Sequence, residues 1–216
     1  MNESRIPVAA EGYPFIGVAA LVTLVLAILG CKLLALLALA LTTFILYFFR
    51  DPERTVPDDD DVVVSPADGK VILIEKLFDD QFVKEHVYKI SIFMNLFNVH
   101  VNRSPLPGTV TQVRHVPGSF LAANTEQAAL ENEHCALTLV TADRQKLAVV
   151  QVAGLIARRI VCWAIKGDLL ARGQRFGLIR FGSRVDLYLP LQLQLEVRPG
   201  QKVRAGETVL GYLSQR

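Results

Sequence analysis

The chain is poor in residues that would tie it together covalently or through a metal. It has three cysteines, Cys31, Cys135 and Cys162. The count is odd and no pair has metal-ligand spacing, so neither a disulfide framework nor a zinc site is expected, and a reducing compartment fits. An excess of charge of one sign is also lacking. The 23 Lys and Arg against 21 Asp and Glu leave a formal +2, which supplies no electrostatic footprint for nucleic acid. No long amphipathic helical pattern is present. Between Gly12 and Phe49 charge is almost absent: Lys32 is the one charged residue in 38.

That uncharged stretch divides into residues 14–30 and 33–49, each 17 residues long, joined by Gly30-Cys31-Lys32. At 1.5 Å per residue each half reaches about 25 Å as a helix, the short end of what crosses a hydrocarbon core of about 30 Å. The expectation is a membrane-anchoring helical hairpin over residues 1–49, either spanning or lying in the bilayer. Arg5 stands on one flank, Arg50 and Arg54 on the other, and Lys32 at the tip. The positive-inside rule then puts both ends on the cytoplasmic side. The acidic start (Glu3, Glu11) and the length of the apolar stretch argue against a cleaved signal peptide. So little charge over such a length argues against a hairpin buried in a soluble core.

Residues 50–61 carry two prolines and a run of four aspartates and read as an exposed charged linker. Consecutive carboxylates in a loop do not define a coordination shell, so a solvated face is expected at 58–61 and no metal. From Val62 onward the texture is β. Short runs rich in Val, Ile, Leu, Phe and Tyr, punctuated by Gly and Pro, predict strands over 71–75, 87–94, 109–115, 136–141, 147–152, 160–164, 176–181, 184–189 and 209–213. Residues 126–133 and 165–171 read as short helices or loops. The predicted fold is mostly β, a sandwich or barrel over residues 62–216.

Within that pattern, Gly182-Ser183 interrupts what otherwise reads as a buried hairpin or bent strand (Phe176 to Phe181, then Val185 to Pro190). Glycine lets another group approach its carbonyl closely, and the next residue supplies a hydroxyl. A serine needs a base or a strained bond to attack at neutral pH. Of the four histidines, His100 lies in Asn98-Val99-His100-Val101-Asn102-Arg103, at a strand end before a polar turn, where functional groups are often displayed. His86, His115 and His134 read as structural or surface residues, and Trp163 as core. Asp68 lies in Ser65-Pro66-Ala67-Asp68-Gly69, where an aspartate commonly bonds its own turn.

Two segments, 64–71 and 197–211, resemble turns of the biotinyl/lipoyl carrier fold. No carrier lysine hairpin accompanies them, so the resemblance implies a barrel-sandwich architecture without a carrier function. A wider resemblance rests on four motifs: Val64-Ser-Pro-Ala-Asp-Gly69, Asn98-Val-His-Val-Asn-Arg103, Ala153-Gly-Leu-Ile-Ala-Arg-Arg159 and Arg175-Phe-Gly-Leu-Ile-Arg-Phe-Gly-Ser-Arg-Val-Asp186. With the apolar hairpin and the following Phe-Phe-Arg-Asp-Pro-Glu-Arg, they resemble the short bacterial form of phosphatidylserine decarboxylase over nearly the whole chain.

The resemblance implies that the precursor cuts itself between Gly182 and Ser183, giving a large chain (1–182) and a small chain (183–216) that stay associated. Ser183 becomes a covalent pyruvoyl group, with no metal and no pyridoxal phosphate. That group forms a Schiff base with phosphatidylserine, which leaves as phosphatidylethanolamine and carbon dioxide. The resemblance further assigns Asp68 and His100 to a self-processing triad with Ser183. It places the enzyme at the bacterial inner membrane, with the catalytic domain in the cytoplasm. Longer family members carry a second histidine where this chain has Phe97. Arg158 and Arg159 are candidates for the lipid phosphate, since arginine suits bidentate phosphate recognition. Homo-oligomerisation is open. Two other readings are a membrane-tethered serine hydrolase using Asp68, His100 and Ser183, and a non-catalytic binding module.

Overall fold

The computed structural model describes residues 7–59, 61–123, 125, 131–155, 159–180 and 183–213. The chain forms two compact units, Met1–Glu53 and Arg54–Arg216. In the first, a 3-10 turn at Ala10–Gly12 leads into helix α1 (Tyr13–Ile28), which a turn at Gly30 joins to α2 (Lys32–Phe48). Gly30 has φ of 73°, a conformation glycine adopts without steric cost. The helices bond side chain to side chain through Thr23 Oγ1 and Thr42 Oγ1, 3.1 Å apart. No residue of α1 is buried; Val18, Leu21, Leu24 and Leu36 all present more than half their surface. Ala10–Ile28, 19 residues, is long and apolar enough to cross a membrane, whereas Lys32–Phe48 is shorter. A helix apolar all round and unburied by its own protein is not what a soluble core contains.

Among the described residues, all the helices and strands assigned in the second unit are strands. In chain order these are β1 (Val62–Val64), β2 (Gly69–Phe78), β3 (His86–Met94), β4 (Val101–Arg103), β5 (Gly108–Val116), β6 (His134–Val140), β7 (Lys146–Val152), β8 (Ile160–Cys162), β9 (Leu169–Leu170), β10 (Arg175–Ile179), β11 (Ser183–Pro190), β12 (Leu193–Leu195), β13 (Lys202–Val203) and β14 (Val209–Leu213). A curled antiparallel sheet of eight strands runs β13-β2-β3-β11-β7-β6-β5-β9, and two three-stranded sheets, β1-β14-β12 and β4-β10-β8, accompany it. The mostly-β architecture expected from sequence is present, and each predicted strand overlaps an observed one. Where a helix or loop was expected over 165–171, a turn leads into β9; residues 126–130 lie outside the described ones.

Strand β11 is buried on both faces. Its odd residues, Val185, Leu187 and Leu189, join Ile90 and Ile92 of β3 and Val149 of β7 in the main core. Its even residues face a second layer, in which Tyr188 packs with Val87, Val150 and Phe82. Burial, then the nearby carboxylates of Asp186 and Asp79, push the Tyr188 phenol far above its ordinary pKa, so it stays protonated at any working pH. On that same outer face Arg184 Nε donates to Asp186 Oδ1 at 2.5 Å, and Arg184 Nη2 to Ser91 Oγ at 2.9 Å. Both side chains of the pair are almost fully buried, at 3% and 2% exposed.

Removing one partner of such a pair strands a buried charge and costs about 3 kcal/mol or more, whereas replacing both with apolar groups can be neutral. Asp186→Ala is therefore expected to lower the melting temperature in detergent by roughly 6–12 °C for a domain of this size. The double variant Arg184→Met/Asp186→Leu should recover most of that loss. Equal losses in the two variants, read by thermal melting, would contradict a buried ion pair as the cause.

Candidate active site

The two turn motifs picked out in the sequence lie against each other. Lys70 pairs with Lys202 across β2 and β13. Ser65 N–H donates to the Thr208 carbonyl at 2.8 Å, and Gly206 N–H to the Ser65 carbonyl at 2.8 Å. Gly69 fits because it has no side chain: a Cβ there would sit 2.3 Å from the Phe93 carbonyl oxygen. This close approach puts Asp68 beside the end of β3. The Asp68 carboxylate does not close its own turn. It accepts two bonds from Arg54 Nη2, at 3.1 and 2.9 Å, and one from the Ala205 N–H at 2.8 Å. Arg54 also donates to Glu207 at 3.1 Å. An ionised carboxylate offers about four acceptor positions, so one is left over. Arg54, read from sequence as a flanking charge of the hairpin, belongs to the second unit, where two carboxylates engage it.

Ser183 opens β11 and faces the inner side of the sheet, opposite Met94 of β3, with none of its surface exposed. Its Oγ donates to Met94 Sδ at 3.5 Å. The same sulfur receives Asn102 Nδ2 at 3.8 Å, and Gln151 Nε2 donates to Asn102 Oδ1 at 2.9 Å. This line of side chains joins β11, β3, β4 and β7. A thioether is a weak acceptor, so the hydroxyl is held without being deprotonated in this arrangement. Gln151 Oε1 is buried and accepts no bond among the described residues.

His100, 2% exposed, precedes β4, and its carbonyl accepts the Ile179 N–H at 3.2 Å. Strand register thus brings three sequence candidates to one end of the domain. Asp68 lies one residue before β2, His100 beside the end of β10, and Ser183 at the start of β11. Asp68 and Ser183 are two strands apart in the sheet, about 10 Å by ordinary strand spacing. Arg159 is exposed, and its carbonyl accepts the Arg180 N–H at 3.2 Å. Gly182 and Arg158 lie outside the described residues. Trp163, expected in the core, is 39% exposed at the edge of the small sheet beyond β8.

No group of three or more His, Cys, Asp or Glu able to hold a metal ion occurs among the described residues. The cysteines are free. A hydrogen bond with Cys162, and then burial, hold the Cys135 thiol well above its ordinary pKa; the same bond draws Cys162 down.

With this geometry in view, relationship to known proteins is decisive. The sequence profile of the phosphatidylserine decarboxylase family matches residues 41–211. The chain belongs to that family. It is 55% identical over 213 residues to a phosphatidylserine decarboxylase proenzyme of Desulfotalea psychrophila, covering 99% of this chain and all of the relative. Proenzymes of the same name from Geotalea uraniireducens and Geobacter metallireducens are 52% and 53% identical, over 99% of this chain and their whole length.

Sequence reasoning did not find Arg54, Met94 or Gln151 at this site. Gln151 carried a signal, as a polar residue in an otherwise apolar run (Leu147 to Val152). Asn102 lay inside a quoted motif without an assigned role. Arg54 and Asp68 are expected to be coupled: in a double-mutant cycle of Arg54→Gln and Asp68→Asn, the losses should fall short of additivity by about 1–3 kcal/mol, as for contacting charged partners. Additive losses in thermal melting would mean that the pair contributes nothing of its own.

Proposed function

We propose that this chain is the self-processing precursor of a membrane-anchored phosphatidylserine decarboxylase, which releases carbon dioxide and leaves phosphatidylethanolamine. The observation that carries the reading is the placement of Ser183. It is the first residue of a strand hydrogen-bonded on both edges, fully buried, directly after the 182–183 bond and at the same end of the domain as Asp68 and His100. The proenzyme names of full-length relatives support it.

In the proposed maturation, Ser183 Oγ attacks the carbonyl carbon of residue 182, and the C–N bond breaks as the new ester C–O bond forms. His100 takes the hydroxyl proton and returns it to the departing Ser183 nitrogen, with Asp68 fixing the imidazole through the acceptor position its other bonds leave. Loss of the Ser183 α-proton then expels residues 1–182 as a carboxylate. Addition of water and release of ammonia leave a ketone at position 183. For Oγ to react it must turn from the Met94 sulfur toward the peptide bond, a rotation about one χ angle.

The residues present fit such a group. Residue 183 is enclosed, and its amide link to Arg184 is held by both neighbouring strands. When formed, the pyruvoyl group supplies an electrophile for the substrate amine and a sink for the electron pair left by the departing carboxylate. The chain's own part is to exclude water around residue 183 and to hold the lipid headgroup, for which Arg158 and Arg159 are the proposed phosphate ligands. Cleavage frees the chain end at 182, which opens the enclosed site to a substrate. A hydrolase acting on external esters is less well served, because its nucleophile would be an intact, fully enclosed Ser183.

The small chain, 183–216, supplies β11 in the middle of the large sheet and also β12, β13 and β14, of which β13 and β14 pair with β2 and β1. That pairing supports its retention after the cut. The exposed apolar hairpin supports an anchor, and the inner membrane with the catalytic unit on the cytoplasmic side is the proposed location.

Intact mass tests the reading. The purified protein should resolve into two chains meeting between residues 182 and 183, the small one blocked by a carbonyl, and should release carbon dioxide from phosphatidylserine. Ser183→Ala should stay a single chain of 23.9 kDa with no activity. His100→Ala should slow the cut on the order of 10²-fold or more, the range of lost general-base catalysis. Dialysis against a chelator should leave turnover unchanged. Cleavage of Ser183→Ala, or decarboxylation by an uncut chain, would overturn the proposal.

A further inference from the structure

We propose that the end of the catalytic unit at which β11 begins is a lipid-docking rim. In it Phe97 and Leu155 enter the interfacial layer of a phospholipid bilayer and Arg159 meets the anionic headgroups, so that residue 183 opens onto the membrane surface itself. The inference deepens the decarboxylase reading and rests on it for the choice of a lipid as occupant.

Register supplies the geometry. Strands β3, β11 and β7 are neighbours, with Ser183 opposite Met94 at the end of β3 and Arg184 opposite Val152 at the end of β7. The segments that leave β3 and β7 therefore emerge on either side of Ser183. Each presents a large apolar side chain three residues beyond its strand: Phe97, 64% exposed, and Leu155, 63% exposed. The exposure of Phe97 is built in. The Asn95 side chain accepts the Phe97 N–H at 2.9 Å, Asn98 Oδ1 accepts the Asn95 N–H at 2.8 Å, and Asn98 N–H returns to the Asn95 carbonyl at 3.1 Å. Asparagines closing a turn on its own backbone fix its shape, and this one holds a phenylalanine at its tip.

Charge points to the same occupant. Neither residues 95–103 nor residues 153–163 contain an aspartate or glutamate, while the second segment contributes exposed Arg159, four residues after Leu155 in sequence. Aromatic and aliphatic side chains accompanied by an exposed cation are the composition of surfaces that sit at the headgroup and acyl boundary of anionic bilayers. Phe78, also exposed at 57%, lies at the far end of the sheet opposite His86, about 27 Å from Met94 along β3 by strand rise. It provides an internal control.

The test uses the full-length protein in proteoliposomes of phosphatidylethanolamine and phosphatidylglycerol whose acyl chains carry bromine. In a Trp163→Phe background, the indoles of Phe97→Trp and Leu155→Trp should be quenched at least threefold more than that of Phe78→Trp. A Phe97→Ser/Leu155→Ser variant should still cut itself fully, read by mass. Its KM for phosphatidylserine in vesicles should rise roughly tenfold with kcat little changed. Quenching at positions 97 and 155 no greater than at 78 overturns the rim, and is also the outcome expected if these side chains dock a protein instead. The quenching can be read on the Ser183→Ala precursor and needs no turnover. Quenching without decarboxylation by the processed chain would therefore sink the catalytic reading alone, and decarboxylation without quenching would sink the rim alone.

Discussion

Hydrogen bonding along both edges of β11 constrains the rest of the catalytic unit. One edge is paired with β3 from Ser183 to Pro190 and the other with β7 from Arg184 to Tyr188. A strand so held cannot slip by one residue without turning Val185, Leu187 and Leu189 out of the core and carrying Arg184 and Asp186 into it. The position of residue 183 is therefore set by the apolar and ionic requirements of the seven residues after it. The polar groups buried on the outer face have the same effect. Arg184 and Asp186 travel together on one strand, and the cross-strand bond from Arg184 to Ser91 of β3 forms in the register observed.

The inner face near Ser183 is less apolar than the rest of the core. Met94, Asn102 and Gln151 form a chain of weak and ordinary hydrogen bonds where Ile90, Ile92, Leu187 and Val149 fill the corresponding positions further along. Buried amides with incomplete bonding carry a cost that an all-apolar core avoids. Such a departure from good packing at one end of a sheet, beside an enclosed serine, is where function is expected to have displaced stability.

Much of the fold was legible because its long strands are runs rich in Val, Ile, Leu, Phe and Tyr, punctuated by Gly and Pro. β3, β6, β7 and β11 were found within a residue or two for that reason. β1, β4, β9, β12 and β13 were missed: two or three residues cannot display a period, and pairing rather than pattern makes them strands. Ser183, His100 and Asp68 could be nominated because the motifs that carry the family resemblance are local. Arg54 could not be tied to Asp68, since charge in a Pro- and Asp-rich segment reads as solvated whatever it meets in space. Nor could the Ala205 N–H, 137 residues from Asp68. Trp163 misled because a large apolar ring beside a strand is usually core, and here it lies at a sheet edge.

On the proposed reading, enclosure does two opposite things in succession. Before the cut, the absence of solvent around Ser183 favours attack by its own hydroxyl over hydrolysis by water, because the hydroxyl is one rotation from the bond while water is kept out. After the cut, the same enclosure would bar a lipid from reaching residue 183. The strand after the bond is paired on both edges within the large sheet, and β10, the strand before it, is paired on both edges within a three-stranded sheet. On this reading the cut itself, by parting two chain ends that are each anchored in a different sheet, is what admits the substrate, so cleavage and substrate access are one event seen from the two sides of a single bond.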